Sequence, residues 1–314
     1  MADMADPSGP ADRPQSAGPT PSARHLAAFE EQRPRLWGIA YRILGLVTDA
    51  EDAVQEAWLR WQALPEDEVA DPRAYLTTVI SRICYDQLGS ARARRERYVG
   101  PWLPEPVLTD DTTGPEDRVT LDESVGYALL TVLERLTPAE RTAFVLHDVF
   151  AVPFPEIAEA VGRTPDSVRQ LASRARKRVR AEAPNRSVDR GEHRRAVDAF
   201  LAAAAQGDFD GLLKVLDPEV VWRSDGGGKV MAARVPIHGA EQVARFAQRL
   251  ARGLAKATAR MSVRDVNGAP GLVFVEPVSG QASVFAFTVH DGLITEVAAV
   301  VNPDKLSHLD LDEL

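Results

Sequence analysis

The spacing of apolar residues changes character near Glu192, and this change constrains the fold more than any other feature of the chain. Before it, apolar residues recur every three or four positions, as from Leu36 to Val47, which is the period of a helix with one buried face. After it, short apolar runs are separated by turn signals such as Asn267-Gly268 and Asp291-Gly292, which are typical of antiparallel strands. The pattern predicts a multidomain chain, with all-α domains first and then an α+β domain whose curved sheet wraps on helices.

Breaks in this pattern divide the chain of 314 residues, a length that suits two or three domains. The first 23 residues are rich in proline and poor in large apolar side chains, so burial cannot offset their chain entropy and we expect disorder. Prolines and a glycine between positions 101 and 115 mark a second break without a helical period. We predict a leader (1–23), a first helical domain (24–97), an acidic linker (98–119), a second helical domain (120–182), a short linker (183–191) and an α+β domain with its tail (192–314).

The composition limits the cellular compartment in which the protein is expected and the cofactors that it is expected to bind. The single cysteine, Cys84, cannot form an internal disulfide, and no apolar run reaches the roughly 18 residues that a membrane helix needs. The first residues are acidic rather than basic-then-apolar, so no signal peptide is expected. We therefore expect a cytoplasmic protein without a membrane partner. His238, His290 and Asp291 are too scattered to predict a metal site, and no cofactor is expected.

Helix ends are marked by local capping signals in both helical domains. Asp71 precedes Pro72 and predicts an N-cap with a first-turn proline, and Thr137 with Glu140 has the spacing of a capping box. The pair Thr48 and Glu51 has the same spacing and predicts a capping box at the start of the second helix. Arg33-Pro34 predicts the start of the first helix or a kink in it.

The segment from Pro155 to about Arg180 has the layout of a helix-turn-helix. A short apolar helix is followed by Gly162-Arg163-Thr164 and then by a helix that Thr164 caps and Pro165 opens. The first turns of such a recognition helix enter the major groove, and later positions meet phosphates. An ordinary helical hairpin is the alternative, which the charge of the second helix disfavours.

Charge is distributed unevenly along an acidic chain whose formal net charge is −9. Residues 163–180 carry seven basic residues and one acidic residue, whereas residues 98–124 carry seven acidic residues and one arginine. Concentrated basic segments within an acidic protein indicate a polyanionic partner. For the acidic linker, a solvated spacer and a segment that follows a basic channel both remain open.

Four segments resemble parts of extracytoplasmic-function sigma factors, the small specificity subunits of bacterial RNA polymerase. Asp49–Trp61 is similar to region 2.2, which docks on the polymerase, and Arg73–Asp86 is similar to regions 2.3 and 2.4, which open the −10 element. Leu136–Arg141 and Ser167–Arg176 are similar to region 4, which reads the −35 element. The resemblance implies a transcription initiation factor that binds promoter DNA and the largest and second-largest subunits of core RNA polymerase.

The resemblance assigns candidate roles residue by residue. The candidate polymerase-binding residues are Asp49, Glu51, Asp52, Gln55 and Glu56. The candidate DNA-binding residues are Arg73, Tyr75, Thr78, Arg82, Arg92, Arg94 and Arg95 in the first helical domain, and Ser167, Arg169, Gln170, Ser173, Arg174, Arg176, Lys177 and Arg178 in the second. Many relatives have Asn in place of Arg82 and an Arg-Leu pair in place of Leu171-Ala172, so no promoter sequence is carried over. For Tyr75, packing in the core is an equally open reading.

Three further motifs resemble the subgroup of these factors that is fused to a C-terminal SnoaL-like domain (sigma-J type), a cone-shaped α+β fold. They are Trp102–Pro106, Asp225–Lys229 and Asn302–Leu306. The resemblance implies modulation of activity in cis, without a separate anti-sigma factor. We expect the last two motifs to meet the linker through Lys229 or Lys305. The candidate regulatory residues are Trp102, Pro104, Glu105, Asp225, Gly226, Gly227, Gly228, Lys229, Asn302, Pro303, Asp304, Lys305 and Leu306.

Two other classes of function compete with this interpretation. One is a regulator that binds an operator alone through the helix-turn-helix, which would have no need of the first helical domain. The other is an isomerase or cyclase in which an acid such as Asp225 is catalytic, because SnoaL-like folds host such enzymes. We expect a non-enzymatic protein and assign no catalytic residue.

Overall fold

The computed structural model describes residues 23–65, 68–95, 98–109, 126–182 and 189–309, with the backbone alone at 90–95, 109 and 182. Residues 1–22 of the predicted leader, the acidic stretch 110–125 and residues 183–188 of the short linker lie outside the described residues. No helix among the described residues is both long and apolar enough to cross a bilayer.

Three helices form the first domain: α1 (Ala23–Leu44), α2 (Val47–Gln62) and α3 (Pro72–Arg95). Pro34 lies inside α1 and does not begin it. The turns before Pro34 are held by packing, because Trp61 Nε1 donates to His25 O at 2.9 Å and the rings of Phe29 and Trp58 lie 5.0 Å apart. These tertiary contacts thus stabilise α1 across Pro34, a residue type that disfavours the interior of a helix.

Of the caps predicted at Asp71, Thr137 and Thr48, the first two are confirmed and the third is wrong. Asp71 Oδ1 accepts a hydrogen bond from Ala74 N at 3.1 Å, and Thr137 with Glu140 forms a complete capping box. The capping box expected at Thr48 is absent: the N-cap of α2 is Leu46, two residues earlier, and it makes no side-chain capping bond. The cap of α2 comes from outside the domain, from Glu105 of the linker.

The second helical domain contains the expected helix-turn-helix. Gly162 ends the first of its two helices in the left-handed conformation with φ of 64°, and Thr164 Oγ1 accepts from Ser167 N at 3.3 Å at the start of the second. The elements are α4 (Tyr127–Leu133), α5 (Pro138–Phe144) with a π-helical turn (Val145–Val149), α6 (Phe154–Val161) and α7 (Pro165–Glu182).

The C-terminal domain has the predicted α+β fold. Its elements are α8 (Arg190–Gln206), α9 (Phe209–Val215), β2 (Leu216–Asp225), β3 (Ile237–His238), α10 (Ala240–Lys256), β4 (Arg260–Val266), β5 (Ala269–Val275), β6 (Ala282–His290), β7 (Leu293–Val300) and a 3₁₀ turn (Pro303–Lys305). A small linker strand, β1 (Leu108–Thr109), joins the sheet, which gives the order β1-β4-β5-β6-β7-β2-β3. Strands β4 to β7 form the antiparallel meander, whereas β2 runs parallel to β7.

The two faces of this sheet contact different parts of the protein. Side chains alternate between faces along a strand, so Leu272 and Phe285 pack with the domain's helices while Val273 and Val284 point the other way. The second face forms an apolar cluster with Leu103 of the linker, Tyr127 of α4 and Leu306 of the tail. The outer face of the sheet thereby brings together the linker, the second helical domain and the tail.

Candidate regulatory clamp and promoter-binding surfaces

A buried ion pair joins the tail to the end of β2. Lys305 Nζ lies 2.8 Å from Asp225 Oδ2, and the side chains are 4% and 0% exposed. The linker closes over the pair, because Leu103 N donates to Asp225 Oδ2 at 2.8 Å and Leu103 O accepts from Lys305 Nζ. Lys305 Nζ also lies 3.3 Å from the centroid of the Trp102 ring, a cation–π contact. Both charges are therefore satisfied by each other and by the linker.

Tyr98 and Asn302 complete this cluster. Tyr98 OH donates to Asp225 Oδ1, and Asn302 Nδ2 donates to Tyr98 OH at 2.8 Å. Burial, followed by the bond to the Asp225 carboxylate, raises the pKa of Tyr98, so the phenol stays protonated and remains a donor. Gly227 leaves room for the amide, since a Cβ there would lie 2.4 Å from Asn302 Nδ2 and φ is +60°. We call Tyr98, Leu103, Asp225, Asn302 and Lys305 the clamp.

Of the two lysines expected to meet the linker, only Lys305 contacts it in the described structure. Lys229 Nζ lies 2.6 Å from Asp304 Oδ2 on the surface, where the two side chains are 53% and 63% exposed. Lys229 therefore ties the glycine loop after β2 to the tail, while Lys305 ties the tail to the linker.

Glu105 of the linker caps the first helical domain. Its Oε2 accepts from Val47 N at 2.6 Å, which supplies the bond that no side chain near α2 provides. Its backbone is bound as well, because Glu105 N donates to Gly45 O at 2.9 Å and Tyr41 OH donates to Glu105 O at 2.6 Å. Burial of the carboxyl raises the pKa of Glu105, and the bonds from the helix amides oppose that shift. The solvated-spacer reading of the linker is thus wrong over this part, which is buried.

The linker also contacts the second helical domain and the tail. Tyr127 OH of α4 donates to Pro104 O at 2.7 Å, and His308 Nε2 is 2.9 Å from Pro106 O. Burial lowers the pKa of His308, so the ring is neutral near pH 7 and its Nε2–H donates. The linker residues between Trp102 and Pro106 thus bond to both helical domains, to the C-terminal domain and to its tail.

Asn267 is a contact residue that sequence reasoning missed. It lies in the turn between β4 and β5 with φ of 51°, and its Nδ2 donates to Tyr41 OH at 2.8 Å. Its Oδ1 accepts from Val107 N at 3.1 Å. The Asn-Gly dipeptide signalled only a hairpin, and nothing local indicated that the turn would reach the first helical domain.

The two helical domains pack directly on each other and share one apolar core. Arg141 of α5 is buried, pairs with Glu134 at 2.6 Å, and its Nε donates across the boundary to Arg42 O at 3.1 Å. Arg82 Nη2 of α3 donates to Glu159 O of α6 at 3.3 Å. Candidate DNA-contacting residues of the first domain thus lie beside the helix-turn-helix.

The candidate DNA-binding residues on α3 differ in exposure. Arg73 and Arg82 are exposed, while Tyr75 and Thr78 are half-buried. The Tyr75 ring lies 5.9 Å from that of Trp61 and packs, partly buried, against the shared core. Arg92, Arg94 and Arg95 belong to the backbone of α3, but their side chains are outside the described set.

On α7 the candidate residues form a largely exposed face. Arg169, Gln170, Ser173, Arg174, Lys177 and Arg178 are exposed, whereas Ser167 and Arg176 are half-buried. Arg169 pairs with Asp166 and lies 5.3 Å from the Phe154 ring. Further along, Arg174 pairs with Glu140 at 3.2 Å and Arg176 pairs with Asp148 at 2.9 Å.

The candidate polymerase-binding residues lie together on α2. Glu51, Asp52 and Gln55 are exposed, and Asp49 and Glu56 are half-buried. Glu51 has a long contact of 3.8 Å to Arg33, and Glu56 pairs with Arg60 one turn later. This acidic surface starts directly after the end of α2 that Glu105 caps.

Family models match the chain in the order that the fold displays. They are "Sigma-70 region 2" over residues 28–94, "Sigma-70, region 4" over residues 127–179 and "SnoaL-like domain" over residues 197–297. Together with the helix-turn-helix and the curved sheet, these matches define the class: a sigma factor that carries a C-terminal SnoaL-like domain.

Similar proteins place the chain within that class. The ECF RNA polymerase sigma factor SigJ of Mycobacterium tuberculosis is 44% identical over 297 residues, 92% of this chain and 95% of the relative. The probable factor SigI of the same organism is 37% identical over 287 residues, 90% of this chain and 95% of the relative. The crystal structure of M. tuberculosis SigJ aligns with a TM-score of 0.73 at 41% identity, over 90% of this chain and 98% of that chain. The chain belongs to the extracytoplasmic-function sigma factor family.

Proposed function

We propose that this sigma factor directs promoter-specific initiation by core RNA polymerase and that its C-terminal domain modulates this activity in cis. Family membership supports the first part. One observation carries the second: residues between Trp102 and Pro106 bond at once to α1 and α2, to α4, and to the C-terminal domain. A change in the C-terminal domain that releases this segment therefore changes how both helical domains are held.

The proposed readers of the two promoter elements lie too close together to act in this arrangement. The −35 and −10 elements are separated by about 25 base pairs, roughly 85 Å at about 3.4 Å per base pair. Arg82, a proposed −10 contact, instead donates to Glu159 O in the first helix of the helix-turn-helix. The helical domains must therefore separate before both elements are read on one duplex.

The clamp opposes that separation. Lys305 and Asp225 hold the Leu103 backbone, and the next two linker residues bond to Tyr127 and Val47, one in each helical domain. Because the clamp is part of the same chain, its local concentration is high and even a weak contact is largely occupied. A separate anti-sigma factor is then not required to hold the closed arrangement.

The linker also reaches the proposed polymerase-binding surface. Glu105 caps α2 through Val47 N, and the exposed residues Glu51, Asp52 and Gln55 begin one turn later. Release of Glu105 frees the amide groups at this helix end, which favours fraying of the first turn. We therefore expect the state of the linker to affect polymerase docking as well as DNA reading.

The proposed role of the C-terminal domain is not catalytic. The Asp225 carboxylate, which could serve as a general base in an enzyme of this fold, accepts bonds from Lys305, Tyr98, Leu103 N and Gly227 N. Both of its oxygens are therefore bonded within the protein, and the residue is completely buried.

Reconstituted transcription with core polymerase tests the proposal. We compare the wild-type chain with Lys305→Met, which removes the buried cation, and with Lys229→Met, which removes the exposed one. The proposal predicts a promoter-dependent rate about two- to tenfold higher for Lys305→Met and an unchanged rate for Lys229→Met. The higher rate corresponds to a shift of up to about 1.4 kcal/mol in the equilibrium between the closed and the open arrangement of the helical domains. Equal rates for all three proteins would contradict modulation in cis. If none of the three proteins supported promoter-dependent synthesis, the sigma function itself would be contradicted.

A further inference from the structure

A line of basic side chains runs along the outer face of α10 in the C-terminal domain. Arg245, Arg249, Arg252 and Lys256 follow one another at intervals of four, three and four residues, and all four are exposed. At about 3.6 residues per turn, these positions lie within roughly 60° of one another around the helix. We call these four residues the basic line.

The opposite face of α10 is buried, which fixes the direction in which the basic line points. Val243 and Ala247 belong to the apolar cluster that the sheet forms with the helices, and Leu250 packs against that cluster. None of the exposed large apolar side chains among the described residues lies on α10. The helix therefore offers no free apolar face for insertion into a bilayer, and none for the apolar centre of a protein interface.

Most cations of the basic line have no acidic partner, unlike other cations of the same domain. Arg194 of α8, for example, pairs with Asp198 at 3.0 Å. Within the basic line, Arg245 pairs with Glu241 at 3.2 Å. No acidic group of the described chain lies within 4.0 Å of the other three cations, so their charges face solvent.

The charge and the dimensions of this surface fit double-stranded DNA. Residues 240–260 carry five basic residues and one acidic residue, although the formal net charge of the chain is −9. Such a local excess of cations indicates a polyanionic partner, and protein–DNA interfaces are polar and positively charged. The basic line is about 16 Å long at about 1.5 Å per residue, which is the rise of about five base pairs at about 3.4 Å each.

We propose that the basic line binds the phosphate backbone of double-stranded DNA, so that the C-terminal domain makes a DNA contact separate from the promoter readers on α3 and α7. Guanidinium and ammonium groups that bond to phosphates fix a protein on the duplex but carry no sequence information. The contact therefore adds affinity whatever the sequence of the duplex. It requires no change in the clamp, so it does not depend on the proposed modulation in cis.

Fluorescence anisotropy of a labelled duplex without a promoter sequence, titrated with the full chain at several salt concentrations, tests the proposal. The triple variant Arg249→Gln, Arg252→Gln and Lys256→Gln removes three cations of the basic line. Glutamine has nearly the helix propensity of arginine and lysine, so α10 is expected to form. Circular dichroism of the variant checks its helix content.

A matched control removes three exposed cations elsewhere in the same domain. The triple variant Arg194→Gln, Arg195→Gln and Lys214→Gln alters α8 and α9 and changes the net charge by the same amount. A general effect of net charge would therefore appear equally in both triple variants.

The basic-line variant is expected to lose affinity and salt dependence together. At low salt we expect its affinity for the duplex to fall at least about tenfold. The slope of log K against log salt concentration should become shallower by about 2.7, which is about 0.9 for each of three phosphate contacts. The control variant should keep the wild-type slope. Equal changes in the two variants, no change in either, or no binding by the wild-type chain would overturn the proposal.

A single position covers the case in which the triple variant does not fold. Lys256→Gln is expected to make the slope shallower by about 0.9, and Lys256→Arg, which keeps the charge, is expected to retain it. Equal slopes for these two variants would overturn the contact. Because the duplex contains no promoter and no polymerase is present, these results do not depend on promoter-specific initiation.

Phosphatidylserine vesicles, sedimented with the full chain, separate a lipid surface from DNA as the partner. We expect the basic-line variant and the control variant to bind these vesicles equally. Vesicle binding that only the basic-line variant loses, with its affinity for the duplex intact, would assign the surface to a membrane and overturn the proposal.

Discussion

Lys305 and Asp225 lie 80 positions apart in sequence, and their side chains meet at 2.8 Å in a site where both are almost completely buried. Two buried charges are tolerated only when each is fully paired. Part of that pairing comes from Leu103 in the linker, whose N–H and C=O bond to the two ends of the pair. The stability of the pair and the position of the linker are thus coupled.

Loss of the buried cation is expected to cost much more than loss of the exposed one. Lys305→Met leaves the Asp225 carboxylate buried without its ion-pair partner, which costs about 3–5 kcal/mol. Lys229→Met breaks a pair whose side chains are more than half exposed, which costs at most about 1 kcal/mol. Urea unfolding followed by tryptophan fluorescence measures the free energy of unfolding of both variants. Equal losses of this free energy would contradict the stabilising role of the buried ion pair.

Asn267 is expected to hold the β4–β5 turn against the first helical domain. Asn267→Gly keeps the left-handed backbone but removes the bonds to Tyr41 OH and Val107 N, for a loss of about 1–3 kcal/mol. Asp291→Gly is the matched control, because Asp291 has φ of 49°, also precedes a glycine and is exposed. Urea unfolding gives the two free energies, and hydrogen exchange at Val107 reports the local effect. Protection of Val107 that survives Asn267→Gly would argue against the contact.

The contact between tail and linker is expected to weaken in acid. The pKa of His308 is lowered from its usual 6.5, so below 6.5 the unfolded chain binds a proton that the folded chain resists. The stabilisation by the neutral ring is therefore present above pH 6.5 and is lost as pH falls through the lower folded pKa. His193 contributes in the same direction, because burial lowers its pKa too. The difference between wild type and His308→Gln isolates the tail, and melting temperatures at several pH values between 7.5 and 5 measure it. Parallel pH curves for the two proteins would count against this origin.

Residues along α7 are expected to differ in what they recognise. Arg169 and Gln170 lie in its first turns, where a recognition helix meets base edges, whereas Arg178 lies about two turns later, where the helix meets phosphates. Arg169→Ala and Gln170→Ala should reduce discrimination between promoter sequences by about 1–3 kcal/mol, whereas Arg178→Ala should weaken binding to all sequences by the same factor. Polymerase holoenzyme binding to a set of −35 variants separates the two patterns. Uniform losses for all three would mean that the helix docks in another way.

Local sequence patterns predicted the elements well because helices and strands are set by spacing within a few residues. The period of three to four residues predicted α1 to α7, and the turn signals Asn267-Gly268, Ser279-Gly280 and Asp291-Gly292 predicted the meander of β4 to β7. Asp71, Thr137 and Thr164 cap the helices that follow them, as their positions predict.

The contacts between domains could not be found in this way, because they join residues distant in sequence. Glu105 caps α2 from 58 positions away, and Asn267 reaches Tyr41 across 226 positions. Prolines and acidic residues made the linker look solvated, although Leu103 and Glu105 are buried. The resemblance singled out Asp225 and Lys305 as regulatory residues, but their pairing depends on how β2 and the tail meet.

The distance between the two helical domains in the free chain tests most directly whether the clamp holds them together. Spin labels at Ala63→Cys, at the end of α2, and at Arg163→Cys, in the turn of the helix-turn-helix, are both at exposed positions, and the native Cys84 is buried. Pulsed electron–electron double resonance is predicted to give a single narrow distance distribution when the labels are placed in the wild-type chain or in Lys229→Met. In folded Lys305→Met it is predicted to show an added population at longer distance. The same single narrow distance in Lys305→Met, with its helix content intact, would contradict the account.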